Sequence, residues 1–299
     1  VVSAATEDVR DIYAVYWNKA IAESLGAGDL YGEYERGEWT WQRFSVLMHS
    51  AAEARGADKA TRIGAVTDLP LNEIADAMQI SSGLHYVSTE YGSVPSISYD
   101  DAAMNELAAL AYTVFGNGQG FSSGYGSDTS AATSFRGGDV LFYVGTFRDA
   151  ETLASAESDW GVLPLPSYSE QTSGITAMSP SSAVLVTPRS NALGENTSSV
   201  LKALSLASSG VIDDAVIEYL TVSSLRDNAS VRMVRAAAEK TVRTDFTAAF
   251  PSISALQNAT AEAYHNVIKS GGRFTSAANR YLRNGTSALN QNFPLKNAE

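Results

Sequence analysis

Between about residues 13 and 165 the chain alternates strand-like and helix-like segments, and after residue 190 it reads as helices with few strands between them. This change of character constrains the fold most, because the alternation builds an α/β sheet with helical cover and the helical tail then wraps back over it. The first strand signal is Tyr13-Ala14-Val15-Tyr16, β-branched and aromatic, which passes into Asn18-Lys19 and an amphipathic helix reaching Leu25. Thr40 suits the N-cap of a helix through Phe44, Leu47, Met48 and Ala51-Ala52, and Asp100 suits one through Met104, Leu107, Leu110 and Ala111. Between these two helices a short strand over 62–66 precedes Asp68-Leu69-Pro70 and a helix carrying Ile74, Ala77, Met78 and Ile80. Residues 81–98 are turn-rich and predict a small hairpin around Tyr91-Gly92. A buried-type strand is expected over 140–144 and another over 160–165, closed by prolines 164 and 166. Helices are expected over 200–206, 212–220, 230–240, 255–269 and 276–289, and no internal repeat is present.

Composition narrows the chemistry. With 299 residues, 44% of them hydrophobic and 18% charged, the chain can bury a large core. Its formal charge of −12, from 33 acids against 21 bases, repels a phosphate backbone, so nucleic acid is not an expected partner. No apolar run approaches the roughly 20 residues that cross a bilayer. The absence of cysteine excludes disulfides, thiolate nucleophiles and Cys-ligated metals. The 3 histidines, at positions 49, 85 and 265, lack metal-ligand spacing, and no metal or cofactor is expected. His49 on a helix end, His85 in a hairpin and His265 beside Tyr264 all read as surface or half-buried side chains. The glycine-rich stretch 116–126 has no basic residue and follows a helix, so it reads as a flexible surface loop rather than a phosphate cradle. The opening Val1-Val2 carries neither a basic n-region nor an apolar h-region, and the chain reads as a fragment that starts close to a sheet strand.

Two chemistries remain. A composition with 14 tyrosines and tryptophans at 17, 39, 41 and 160 suits stacking on the apolar faces of sugars, with acids and amides taking the hydroxyls. Paired carboxylates drawn from Asp11, Glu73 and Asp139 would instead suit a secreted carbohydrate-active hydrolase.

The stretch Phe135-Arg136-Gly137-Gly138-Asp139-Val140-Leu141-Phe142-Tyr143-Val144-Gly145-Thr146-Phe147, followed by Asp159-Trp160-Gly161-Val162-Leu163-Pro164-Leu165-Pro166, resembles a signature of the extracellular solute-binding proteins of ABC importers, the maltose-binding-protein-like type. Tyr16-Trp17-Asn18-Lys19 is similar to that family's interlobe strand, and Gly37-Glu38-Trp39-Thr40-Trp41 to its helix entry. Leu225-Arg226-Asp227-Asn228-Ala229-Ser230 with Met233 resembles a segment of the Gram-positive lipoprotein members. The family's cleft Gly-x-Trp is Gly145-Thr146-Phe147 here, and the stretch after Pro166 lacks the family's lysine and aspartate.

The resemblance implies a periplasmic-binding-protein-like type II fold: α/β, two lobes with hinge crossings, the first lobe incomplete. It places 1–16 at the end of the amino-terminal lobe and first hinge strand, 17–171 in the carboxy-terminal lobe, 172–240 back in the first lobe and 241–299 in the second lobe's final helices. It implies a monomeric, non-enzymatic protein that captures a carbohydrate or similar solute between the lobes and delivers it to permease subunits. The signal peptide and lipid anchor of such a cell-surface protein would lie outside this sequence. Carried over residue by residue, Phe147 with Tyr143 and Thr146 would form a stacking platform, Asp11 would hold sugar hydroxyls, Asn72 and Glu73 would line the cleft, and Tyr168 would sit near the second hinge.

Overall fold

The computed structural model describes residues 8–55, 63–89, 94–179, 194–208, 210–243 and 245–294. In chain order its elements begin with α1 (Asp8–Asp11), β1 (Tyr13–Asn18), α2 (Lys19–Ser24), α3 (Leu30–Glu35), α4 (Trp41–Arg55), β2 (Ala65–Thr67), α5 (Leu71–Ser81), β3 (Val87–Ser88) and β4 (Ser96–Ile97). They continue with α6 (Asp101–Phe115), β5 (Phe121–Ser123), α7 (Ala131–Arg136), β6 (Phe142–Thr146), α8 (Ala150–Leu153), β7 (Trp160–Pro164) and β8 (Ile175–Ala177). The remainder is α9 (Gly194–Ser208), α10 (Val211–Ser223), α11 (Asn228–Ala238), β9 (Thr241–Arg243), α12 (Ser254–Ala259), α13 (Ala261–Ser270), α14 (Phe274–Ala278) and α15 (Leu282–Asn292). No helix among the described residues is long and apolar enough to cross a membrane.

Five strands form one mixed sheet in the order β5-β2-β6-β1-β7. β2 runs parallel to β5 and β6, whereas β1 lies antiparallel between β6 and β7, with Tyr13 opposite Thr146 and Ala14 opposite Pro164. Every residue of β1 is buried, so its alternation is one of faces rather than of polarity. Tyr13, Val15 and Trp17 join Trp39, Trp41, Phe44, Phe142 and the apolar sides of α4, α5, α6 and α13 in one core. Ala14 and Tyr16 join Phe135, Tyr143, Phe147, Trp160 and the apolar sides of α10 and α11 in the other. The result is three layers, helices on both faces of one sheet.

The Leu225–Ser230 motif explains how the second layer is fastened. Asp227 caps α11 by accepting from the Ser230 amide, and the same carboxylate accepts from Lys19 and from the Tyr31 hydroxyl. Arg226 donates to the carbonyls of Ala154, Ala156 and Ser158 while its guanidinium lies over the Trp160 ring. Ser230 is fully buried and shares its hydroxyl with Tyr31, and Gly161 opposite leaves the space that the Tyr31 hydroxyl fills.

Several expectations shift. The stretch 116–126 is not a loop throughout: Phe121–Ser123 is the edge strand β5, paired with β2, and Phe121 packs on Phe44 and Phe115. The expected helix over 255–269 is two helices, broken at Thr260, and that over 276–289 is likewise split into α14 and α15. α3 forms where only a polar stretch was expected, capped by Asp29. β3 and β4 pair as the expected hairpin, while Tyr91-Gly92 at its turn lies outside the described residues. α10 and α11 pack on the second face of this sheet, where Val216, Ile217, Leu220, Val234 and Ala237 join the core.

His265 also departs from expectation. It is buried rather than half-exposed, because α13 turns it toward α5, where its Nε2 lies 2.7 Å from Asp76 Oδ1. His49 is half-buried against the Ser45 carbonyl and Gln119, and His85 is exposed.

Candidate functional site

Crevices for ligands in α/β sheets open at the carboxyl ends of parallel strands, where side chains and loops converge. Here that edge is formed by the ends of β2, β5 and β6 and, because β1 is antiparallel to β6, by the start of β1. Five polar residues meet there. The Tyr13 hydroxyl donates to Glu73 Oε1 at 2.8 Å, and the Ser179 hydroxyl reaches the same oxygen at 3.4 Å. The Ser179 amide donates to the Asp11 carbonyl at 2.9 Å, and Arg148 donates to Asp11 Oδ1 at 2.8 Å. Ile12 and Met178 form a single antiparallel bridge that holds the two segments together.

The elements explain the convergence. Pro70 sets the start of α5, so Glu73 falls in its first turn, where the helix N-terminus favours a carboxylate. Tyr13 is the first residue of β1 and shares its face with Val15 and Trp17, which aims its ring toward the α5 side of the sheet. Burial, and then the Glu73 charge, push the Tyr13 hydroxyl far above the ordinary tyrosine range, so it stays a proton donor to Glu73. Among the described residues Oε2 of Glu73, Oδ2 of Asp11 and the half-buried amide of Asn72 have no hydrogen-bond partner. These are free acceptors and a free amide at one strand end, the complement a hydroxyl-rich solute needs.

A second polar group lies on the other face. Asp68, just past β2, accepts from the Ser130 hydroxyl, from the amides of Ala131 and Ala132, and from the Tyr143 hydroxyl at 3.3 Å. Asp149 accepts from the amide and hydroxyl of Thr146, and Gly145 leaves room for its carboxylate. Burial, with the Asp68 charge adding to it against the hydrogen bonds from Thr146, raises the Asp149 carboxyl above its ordinary value.

The expected site residues are therefore distributed. Asp11, Glu73 and Asn72 gather at the strand ends, and Thr146 stands opposite Tyr13 in the sheet register. Tyr143 and Phe147 sit on the opposite face, and Phe147 is fully enclosed in the second core, so its ring offers no surface for stacking in this structure. Tyr168 is half-buried elsewhere in the first-face layer, with its hydroxyl raised by burial and then by Glu106 and Asp100. Tyr13 and Ser179 were not among the expected residues; the parity of β1 was the available signal for Tyr13, since it shares the Val15 face. Asp139 is exposed before β6, at the far end of that 5-residue strand from Asp11. At about 3.3 Å per residue the two acids stand more than roughly 15 Å apart, beyond the span of a glycosidase pair. No group of three or more metal-ligating side chains occurs among the described residues.

No protein-family model matches the chain, and no curated protein matches it in sequence. Solved structures do match its fold. The sugar-binding protein MalE from Xanthomonas citri superposes with a TM-score of 0.59 at 13% identity, over 94% of this chain and 69% of that one. UgpB from Mycobacterium tuberculosis, solved with glycerophosphocholine, gives 0.56 at 14% identity, over 94% and 69%. The galacto-N-biose-/lacto-N-biose I-binding protein of the Bifidobacterium longum ABC transporter, solved with lacto-N-biose, gives 0.54 at 15% identity, over 96% and 70%. The chain has the type II solute-binding fold. Of the residues that the sequence resemblance assigns to the cleft, Asp11, Asn72 and Glu73 gather at this edge, whereas Phe147 is enclosed in the core on the opposite face.

Proposed function

We propose that this chain is the substrate-binding component of an ABC importer. It takes a carbohydrate or a similar small polar solute at the strand ends around Asp11, Asn72, Glu73 and Tyr13, in a cleft closed by a second lobe, and passes it to membrane permease subunits without turnover. It works outside the cytoplasm as a monomer, and a lipid-anchored form fits the resemblance to Gram-positive members. The observation that carries this reading is the fold match over 94% or more of the chain to three binding proteins, two of them solved with lacto-N-biose or glycerophosphocholine. The free oxygens of Glu73 and Asp11 and the free Asn72 amide support the placement of the ligand. A ligand that contacts both lobes favours the closed state by that difference in affinity, which is what a permease can read.

The test is thermal unfolding with disaccharides, lacto-N-biose and glycerophosphocholine, each mixture afterwards chromatographed for cleavage. One ligand class is expected to raise the melting temperature, by about 2.7 kcal/mol of stability at a hundred times its Kd, and to be recovered intact. Cleavage that disappears in Glu73→Gln would overturn the proposal in favour of a hydrolase.

A further inference from the structure

A second recess, of about 480 Å³, lies between α3, the segment after β7 and the end of α11, and none of its lining residues belongs to the strand-end group. Tyr34, Trp39, Leu165, Ser173, Gly174 and Lys240 are among its walls. The Trp39 ring is a fixed surface, buried and anchored by its indole N–H to the Pro164 carbonyl at 2.9 Å. The Lys240 ammonium lies over the Tyr34 ring, 5.1 Å from its centroid. Among the described residues that ammonium makes no hydrogen bond and no ion pair.

The other charges of the recess are engaged or turned to solvent. Arg36 holds Asp29 and Glu38, Glu35 pairs with Arg232, and Glu239 is exposed at the end of α11, acting on the Tyr34 hydroxyl rather than on Lys240. Burial lowers the Lys240 ammonium to about 8, and no carboxylate among the described residues pairs with it. A ring face compensates such a buried cation less than a hydrogen-bonded anion would.

We propose that this recess binds a small oxyanion, a carboxylate or phosphate group, with Lys240 as its cationic contact and the rings of Tyr34 and Trp39 walling the body that bears it. The volume lies within the range of small-molecule sites. Only the ammonium form attracts the anion, so binding raises the Lys240 pKa, and affinity falls about tenfold per pH unit above the pKa of the free protein.

The experiment is an NMR pH titration of lysine-labelled protein at constant ionic strength set with chloride, repeated with saturating acetate and with saturating inorganic phosphate, the Lys240 signal being assigned by its loss in Lys240→Gln. Without either anion Lys240 is expected to titrate near 8, and with at least one of them a unit or more higher, the other lysines staying put. A rise in acetate alone marks a carboxylate site, and a rise in phosphate alone a phosphate site. Lys240→Gln is expected to abolish anion binding with an unchanged far-UV spectrum. Lys240→Arg, charged at every accessible pH, is expected to keep binding at about pH 9.5, where the natural protein has lost it. A Lys240 signal that titrates near the ordinary value of about 10.4, or one that neither anion moves, overturns the proposal. Those titrations use the natural sequence and decide the question even if a variant fails to fold.

Discussion

The two ends of β1 use the same chemistry to opposite effect. At the Asn18 end the amide and charged side chains are engaged: Asn18 accepts from the Ile21 amide and donates to Ser158, Lys19 lies between Asp159 and Asp227, and Asp227 also takes the Ser230 amide and the Tyr31 hydroxyl. At the Tyr13 end, Glu73 and Asp11 each keep an oxygen without a partner, and Asn72 keeps its amide free among the described residues. What separates a carboxylate that holds the fold from one available to a ligand is how far its hydrogen-bonding capacity is used up, not which residue it is.

Three substitutions sharpen or break this contrast. Phe147→Ala removes an enclosed ring and is expected to cost about 3–5 kcal/mol in urea unfolding, the loss of a core residue; a loss below about 1 kcal/mol with weakened ligand binding would return Phe147 to the cleft. Asp227→Ala strips the cap of α11 and leaves Lys19 and Tyr31 short of a partner, with an expected loss of about 2 kcal/mol and no change in ligand affinity. Glu73→Gln at the open end is expected to do the reverse, weakening ligand about tenfold by calorimetry while unfolding shifts by less than about 1 kcal/mol. Equal stability losses from the last two would erase the distinction between the ends.

The smallest effect is in the pH dependence. Burial works against the Asp227 charge, but the hydrogen bonds from Lys19 and Ser230 outweigh it and hold its carboxyl below 3.8. The stability it gives is therefore present at neutral pH and is lost as pH falls from about 4 through its lower folded value. Asp149 has the opposite sign: its raised carboxyl contributes below the ordinary value of 3.8 and loses that contribution as pH rises through the folded value. Unfolding curves of Asp227→Asn and Asp149→Asn between about pH 3 and pH 7 are expected to diverge from the natural protein in opposite directions.

The sheet was largely legible from residue pattern. β1, β6 and β7 announce themselves through β-branched and aromatic runs, and α6 through its Asp100 cap, because those signals are local. β5 was not, since Phe121-Ser122-Ser123 is too short to show a period and becomes a strand only by pairing with β2. Thr260 gave no warning of a helix break, because threonine is tolerated within helices and the break is a matter of how α12 and α13 pack. At the site, Asp11, Asn72 and Glu73 were named from resemblance, while Tyr13 was read only as a strand residue. Phe147 shows the reverse: a sequence reveals an aromatic side chain but not on which side of a sheet the turn after β6 will lay it.

The placement of β1 between β6 and β7 also sets a timetable. Tyr16 and the Thr146 carbonyl it bonds are 130 residues apart, so on the ribosome β1 is complete before either neighbour exists. At about 5–20 residues per second that interval lasts on the order of 10 s. During it the run Tyr13-Ala14-Val15-Tyr16-Trp17, uncharged and rich in residues that favour strands, has no native partner and is the segment most prone to pair with another nascent chain. A strand buried on both faces in the finished protein is thus the one most in need of shelter while the protein is being made.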